Sequence, residues 1–395
     1  MKILIINYHY PPSTTAHSYR WSLLRQYFLS QGHEVSVICG GLSSESDTEN
    51  RITRVNFPKT VTKNAVDSVF RSNIKNNDLK NTIFYSIKKL YRKIFWPDGL
   101  WHWLPLSLFE VFKLRNQKFD MVVGYSPTFV AVIASLLYKK LNKKTKLVID
   151  FGDPFSVSKE MPVNNYALYG RLNSYIENSV FKAANLVSFT NAKTFDLYKF
   201  KYPSSLNFDI VPHLVNVDDF YEIKKRIDNS PVRVGYVGAF HKNIREPNLA
   251  IEKLSQIDID GLRFEFYGPL NGIIFNDSRF VNHYGVVNRD KAICLSKEFD
   301  VLINIENEDC PMSPSKIFEC MATGKPIINF LSSTGVSSFN NYPLVLNIDT
   351  NTSIDSIITF ILKNRNECLT LDKVEKILKG KTLKSIGDKY LGVAK

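Results

Sequence analysis

The strand and helix pattern of this chain starts twice, and that repetition limits the folds open to it more than any other feature. The opening residues, MKILII, are a short apolar run, and a second such run, VRVGYVG at 232–238, also leads into a loop. Behind the first run the periodicity predicts strands at 2–7, 34–39, 121–124, 146–150 and 186–190, with helices near 19–30, 129–141, 167–184 and from Ala192. Behind the second it predicts strands at 264–267, 281–286, 301–305 and 327–330, again with helices between. Continuous apolar strands alternating with helices are the pattern of a doubly wound parallel sheet covered on both faces. The expected fold class is therefore α/β, with two such domains. A polar stretch at 221–231 marks the division. The expected domains are 1–213 and 214–378, with 379–395 packing back on the first. Sheets of this kind bind ligands beyond the carboxyl ends of their strands, so a site is expected in a cleft across which the two domains face each other.

Composition excludes several alternatives. A chain of 395 residues with 44% hydrophobic and 23% charged content is long enough for two cores and unlike a disordered or fibrous protein. Its five cysteines are odd in number and scattered, which predicts a reducing compartment and no metal site. The opening apolar run is too short for a secretory signal, and the longest apolar segment, near 129–138, is about half of what crosses a bilayer. A cytoplasmic protein without a membrane-spanning helix is expected. The formal net charge of +13 implies an anionic partner. In TIFYSIKKLYRKIFW at 82–96, one helical face collects Ile83, Ile87, Leu90, Tyr91 and Ile94, while Lys88, Lys89, Arg92 and Lys93 occupy the others. A basic amphipathic helix with aromatic residues suits an anionic membrane surface, and an ordinary solvated basic face gives the same pattern. No nucleic-acid motif accompanies the charge, so no nucleic-acid partner is expected.

The segment PMSPSKIFECMATGKPII at 311–328 carries the most chemistry. Ser313 reads as an N-cap with Pro314 in the first helical position, and a helix from 314 to 323 should stop at Gly324, with Pro326 preventing its continuation. The amides near Ser313 and Ser315, together with Lys316, form an anion site beyond a strand end. Glu319, one turn further on, is placed to accept hydrogen bonds from neighbouring sugar hydroxyls. A capped helix of any α/β protein gives the same local pattern. Gly238, at the end of the restarted strand, leads into a loop with His241, Lys242 and Arg245.

These residues carry a family resemblance that covers nearly the whole chain. The order of YPP at 10–12, YRW at 19–21, GHEV at 32–35, WPD at 96–98 with Trp103, DFGDP at 150–154, then 238–247 and 313–326, resembles the retaining glycosyltransferases of family 4, and among them a bacterial surface-polysaccharide subgroup. The resemblance implies a GT-B fold of two Rossmann-like domains and no metal or other cofactor. A nucleotide-diphosphate sugar would be the donor, and a lipid-linked or saccharide molecule the acceptor. It puts Gly238, Lys242, Arg245, Ser313, Ser315, Lys316 and Glu319 at the donor, with Arg245 and Lys316 on the diphosphate and Glu319 on the ribose. Arg245, Lys316, Glu319 and Asp153 are the residues expected to support catalysis. Thr14, Thr15, His17, Arg20 and Asp150 are expected on the acceptor side.

The chain departs from the family pattern at three places. Pro311 stands where many members have a first glutamate, with Glu306, Glu308 and Asp309 nearby as substitutes. Residues 13–16, STTA, replace a glycine pair, and Gly152 replaces the subgroup's arginine. The expected function is retaining hexosyl transfer in surface polysaccharide biosynthesis, peripheral on the inner face of the cytoplasmic membrane. A nucleotide-sugar epimerase of the same architecture and a non-catalytic nucleotide-sugar-binding protein are the alternatives.

Overall fold

In strand β1 (Lys2–Ile6), Ile3, Leu4, Ile5 and Ile6 are all fully buried, as a strand covered on both faces requires. The computed structural model describes residues 1–13, 16–40, 46–55, 94–157, 162–223, 230–308, 316–339 and 341–394. These divide into two compact units: Met1–Val211 with Gly387–Lys395, and Pro212–Ile386. The division falls two residues before the boundary expected at 213, and the returning segment starts at Gly387 rather than 379.

The N-terminal unit contains a seven-stranded sheet of order β3-β2-β1-β4-β5-β6-β7, with every pair parallel. Its other strands are β2 (Glu34–Cys39), β3 (Ile52–Arg54), β4 (Met121–Ser126), β5 (Lys146–Phe151), β6 (Leu186–Phe189) and β7 (Phe208–Ile210). From β1 the chain winds outward one way to β3, and from β4 the other way to β7. The carboxyl ends of β1 and β4 therefore flank a switch point, where such sheets open a crevice. Helix α1 (Ala16–Ser30) follows β1, and α2 (Trp103–Lys113) precedes β4. Helices α3 (Phe129–Leu141), α4 (Tyr166–Ala183) and α5 (Ala192–Lys201) make the later crossovers.

Side-chain contacts of Trp96 and Asp98 in this unit explain part of the WPD motif. Asp98 is buried and accepts from the backbone N–H of Phe129 at 2.7 Å, at the start of α3, and of Leu100 at 2.8 Å. Trp96 donates its indole N–H to Asn173 of α4 at 2.9 Å. The motif thus fastens the segment before α2 to the helix layer.

The C-terminal unit has a six-stranded parallel sheet of order β10-β9-β8-β11-β12-β13. Its strands are β8 (Val232–Val237), β9 (Leu262–Tyr267), β10 (Val281–His283), β11 (Val301–Ile305), β12 (Ile327–Phe330) and β13 (Val345–Ile348). Here the switch point lies between β8 and β11. Helices α6 (Val217–Phe220), α7 (Asn248–Leu254), α8 (Arg289–Glu298), α9 (Lys316–Ala322), α10 (Ile354–Asn364) and α11 (Leu371–Ile377) surround the sheet, and α12 (Leu383–Gly392) carries the chain back. Gly324 ends the α9 segment with φ of 73°, the left-handed conformation expected of it. Strands β3 and β13 and helix α2 were not anticipated from the sequence, whereas the run beginning at Ile210 reads as a last strand leading into a connector, and β7 ends at that residue.

Candidate functional site

In the C-terminal unit, the charged side chains gather at the switch point. The loop after β8 closes through paired backbone bonds between His241 and Arg245, at 3.0 and 2.7 Å. The Arg245 Nε then donates to Oδ1 of Asn307, in the loop after β11, at 2.9 Å, and the backbone N–H of Glu308 donates to the Ile244 carbonyl at 2.7 Å. Arg245 is thereby held across the gap between the two central strands. Burial raises the Tyr236 phenol, and the adjacent Arg245 opposes that shift. A Cβ at Gly238 would sit 2.7 Å from the Tyr236 hydroxyl, so the strand end stays open only with glycine there. Lys242 is exposed on the same loop.

Glu319, on α9, is the acidic centre of this region. Its Oε1 lies 2.7 Å from a guanidinium nitrogen of Arg289, the first residue of α8, and its Oε2 lies 3.1 Å from Nζ of Lys316. Oε2 is buried and receives no directed hydrogen bond, so its contact with Lys316 is an ion pair with lone-pair capacity remaining. Burial alone would raise the Glu319 carboxyl, but Lys316 and Arg289 together bring it below the usual range. Burial pushes the neighbouring Cys320 thiol up to about 12, against Lys316 and Arg245 and with Glu319 and Glu306. Five groups therefore share one electrostatic neighbourhood. Tyr236, Asn304, Lys316, Glu319 and Cys320 line a small hollow there.

The substitutes for the missing glutamate at 311 are already engaged. Glu306 is buried and accepts from the Ser338 N–H and hydroxyl, each at 2.8 Å, and from Asn329 at 3.1 Å. Glu308 accepts from the N–H and hydroxyl of Ser333. Ser313 and Ser315, like Asp309 and Pro311, lie outside the described residues.

A second cluster occupies the switch point of the N-terminal unit. His17, at the start of α1, sets Nδ1 3.4 Å from the Tyr125 hydroxyl and Nε2 3.4 Å from Oδ2 of Asp153. The His9 ring centroid is 6.1 Å from that of His17. Burial, with a smaller contribution from His17, lowers His9 to about 4, so its imidazole is neutral at ordinary pH. Burial raises the Asp153 carboxyl, and His17 opposes this. Gly152 has a direct steric reason: a Cβ there would lie 2.3 Å from the Tyr125 hydroxyl and 3.0 Å from the Ser126 carbonyl. The side chain missing at 152 is what lets Tyr125 reach His17.

Two expected acceptor contacts require correction. Arg20 and Asp150 are buried and pair with each other, Nε to Oδ2 at 2.7 Å. Arg20 also donates to the Val211 carbonyl at 3.1 Å and the Tyr390 hydroxyl at 3.0 Å, and Asp150 accepts from Trp21 at 2.9 Å and Ser188 at 2.7 Å. The pair ties α1, β5, β6 and the returning α12 together instead of meeting a ligand. Thr14 and Thr15, and residues 82–93 of the expected membrane helix, lie outside the described residues. Sequence reasoning missed Arg289, Asn307 and Tyr125, none of which sits in a local motif. Among the described residues no group of three or more His, Cys, Asp or Glu is placed to hold a metal ion, and no helix is long and apolar enough to cross a membrane.

No family model matches the sequence, and no curated protein matches it. Solved structures do. Sucrose-phosphate synthase from Thermosynechococcus elongatus superposes with a TM-score of 0.60 at 13% identity, over 99% of this chain and 98% of that one. A glycosyltransferase from Rickettsia africae gives 0.59 at 13%, over 100% and 97%. Anabaena HepE, in complex with UDP and glucose, gives 0.58 at 11%, over 99% and 98%. The chain has the GT-B fold. Identities this low establish architecture alone, and the two Rossmann-like units are that architecture.

Proposed function

We propose that this protein is a retaining glycosyltransferase of family 4 that moves a hexosyl unit from a nucleotide-diphosphate sugar to a lipid-linked or saccharide acceptor in surface polysaccharide synthesis. The observation that carries this reading is the Glu319 carboxylate, held between Lys316 and Arg289 in the same neighbourhood as Arg245, at the switch point of the C-terminal sheet. A carboxylate beside two cations suits a nucleoside diphosphate, which offers hydroxyl donors at its ribose and negative charge at its phosphates. The UDP and glucose in the HepE structure belong to that protein and favour the same ligand class here.

In the proposed reaction the bond between the anomeric carbon and the diphosphate oxygen breaks, and its electron pair leaves with the phosphate. Arg245 and Lys316 stabilise the charge that develops there. The acceptor hydroxyl bonds to the anomeric carbon on the same face, and its proton passes to the departing phosphate. In the N-terminal unit, His17 and Asp153 are the side chains that receive the acceptor. The protein works in the cytoplasm, peripheral on the membrane that carries a lipid-linked acceptor.

Incubation with a panel of nucleotide sugars, read first by thermal unfolding, tests the donor assignment, because a ligand bound by the native state stabilises it. Stabilisation by one donor, followed by its consumption with a saccharide acceptor and retention of anomeric configuration, is the expected result. A protein unmoved by every donor overturns it. The engaged carboxylates of Glu306 and Glu308 favour a second reading, a nucleotide-sugar-binding protein without transfer. Stabilisation without turnover in any acceptor screen selects that reading, and an altered free sugar without acceptor selects an epimerase.

A further inference from the structure

The helix layer on one face of the N-terminal sheet is apolar on its outside. Successive right-handed crossovers from β4 to β5 to β6 place α3 and α4 on the same face, and α2 packs beside α3 there. The outward stripe of α3 is Ile133 and Leu137, both only half buried, followed by exposed Leu141. A surface helix normally turns polar residues outward over this span. On α2, Phe109 and Phe112 stand on one face with 59% and 49% of their surface exposed. On α4, Leu168, Leu172 and Tyr175 follow at helical spacing, the first and last 64% and 69% exposed. Apolar patches of this extent on a soluble domain mark contact surfaces.

The charge around this patch selects its occupant. Lys113 lies over the Phe109 ring at 4.5 Å, and Arg115 over the Phe112 ring at 4.3 Å. Lys140, Lys143 and Lys144 are exposed around Leu141. The acids of these three helices are Glu110, tied to Lys113 at 2.7 Å, and Glu177, which is buried. Basic residues at helix C-termini complement the macrodipole and would need no other reason, but the exposed aromatic and aliphatic residues among them are not explained that way. Apolar and aromatic side chains that insert at the headgroup boundary, rimmed by cations and nearly free of acids, fit a negatively charged lipid surface.

We infer that the outer face of α2, α3 and α4, centred on Phe109, Phe112 and Leu141, is a docking surface for an anionic lipid bilayer. The inference rests on the peripheral-membrane part of the proposed function and deepens it by placing the contact on the face centred on Phe109, Phe112 and Leu141. Docking leaves the catalytic groups unchanged and sets where the protein works.

The test is flotation of the full chain with vesicles of phosphatidylcholine, alone or with about 30 mol% phosphatidylglycerol. The wild-type protein is expected to float with the mixed vesicles, not with the neutral ones, and to be released by salt. Two variants report on this face: Phe109→Ser with Phe112→Ser, and Lys143→Glu with Lys144→Glu. Each pair is expected to weaken binding at least about tenfold. Phe109→Trp with Phe112→Trp should retain it, which separates lost insertion from lost folding. Residues 82–96 stay unchanged in every variant. Wild-type binding that all variants share overturns this surface while leaving membrane association standing. A wild-type protein that ignores both vesicle types removes membrane association itself. Concentration-dependent dimers abolished by the Phe109→Ser, Phe112→Ser pair, without vesicle binding, assign the face to a second copy and overturn the lipid proposal. None of these outcomes depends on nucleotide-sugar binding.

Discussion

The Arg289 guanidinium meets the Glu319 carboxylate at 2.7 Å and joins the first residue of α8 to the middle of α9, thirty residues away in the chain. The pairing has a pH signature. Together with Lys316 it holds the Glu319 carboxyl below the usual range, although burial alone would raise it. The stability it provides is full above the unfolded value of about 4.3 and is lost as pH falls through the folded value. Glu319→Gln should therefore lower unfolding stability at pH 7 by about 1.5–3 kcal/mol, the range for hydrogen bonds to charged groups. Urea titrations of both proteins should converge as the pH is taken towards the folded value. A gap that stays constant would show that the carboxylate's charge is not what the site uses.

Arg245 is fixed by Asn307 through Nε at 2.9 Å, while one terminal nitrogen makes a longer, 3.5 Å contact to the Ala239 carbonyl that a ligand phosphate would replace. Arg245→Ala should weaken donor binding or transfer by at least about tenfold, since a charge-assisted bond contributes about 1.5–3 kcal/mol. Asn307→Ala should have a smaller effect in the same direction, because it releases the guanidinium without removing it. Thermal unfolding should change little in either variant. Full transfer by purified Arg245→Ala and Glu319→Ala proteins would remove the donor site from this region.

The Arg20 and Asp150 pair makes the opposite kind of prediction. Both side chains are buried, and the pair spans 130 positions of sequence. Removing one partner leaves an uncompensated charge in the interior, a loss of about 3–5 kcal/mol. Asp150→Ala should lower the urea midpoint sharply, whereas His17→Ala should affect transfer and leave the midpoint close to wild type. Equal midpoints for all three proteins would contradict the buried pairing.

The same pair shows where sequence reading stops. The buried strands and long crossover helices were legible because runs such as KILII and FVAVIASLLY are continuously apolar and differ in length, short enough for a strand or long enough for a helix. β3 has only three residues, too few for a period, and α2 begins with WLP, which reads as a loop before proline. At the sites, sequence indicates which residues are chemically able to act and not which way they point. Arg20 and Asp150 look like ligands at a helix start and a strand end until their side chains are seen to face each other. Arg289 is the converse: nothing near it in sequence distinguishes it, and only the approach of α8 to α9 brings it to Glu319. Gly152 was legible as a departure from pattern, but its reason, Tyr125, lies on the neighbouring strand.

That reason can be measured. Gly152→Ala places a Cβ 2.3 Å from the Tyr125 hydroxyl, 2.9 Å from its Cζ and 3.0 Å from the Ser126 carbonyl, so the ring must shift. Overpacking of this kind costs about 1–3 kcal/mol. Tyr125→Phe removes the closest atom and should relieve part of the strain, so the double variant should be more stable than the sum of the single effects. Additive losses would mean that the backbone, rather than Tyr125, dictates glycine at 152.

His9 provides a pH prediction in the other unit's chemistry. Burial, with His17 adding to it, lowers its imidazole to about 4, whereas in the unfolded chain it titrates near the usual value of about 6.5. Between those values the unfolded chain binds a proton that the folded protein does not, so folding stability falls as pH drops from about 6.5 to about 4. Partial exposure of the ring limits the loss to about 2 kcal/mol, below the full linkage value of about 3.4 kcal/mol. His9→Asn should flatten this part of the pH profile while leaving the acid branch attributed to Glu319 in place. Denaturant midpoints of the two proteins measured from pH 7 to 4 decide the matter: parallel curves would show that the imidazole is protonated in the folded state, and that the surroundings of His9 are wetter than its burial implies.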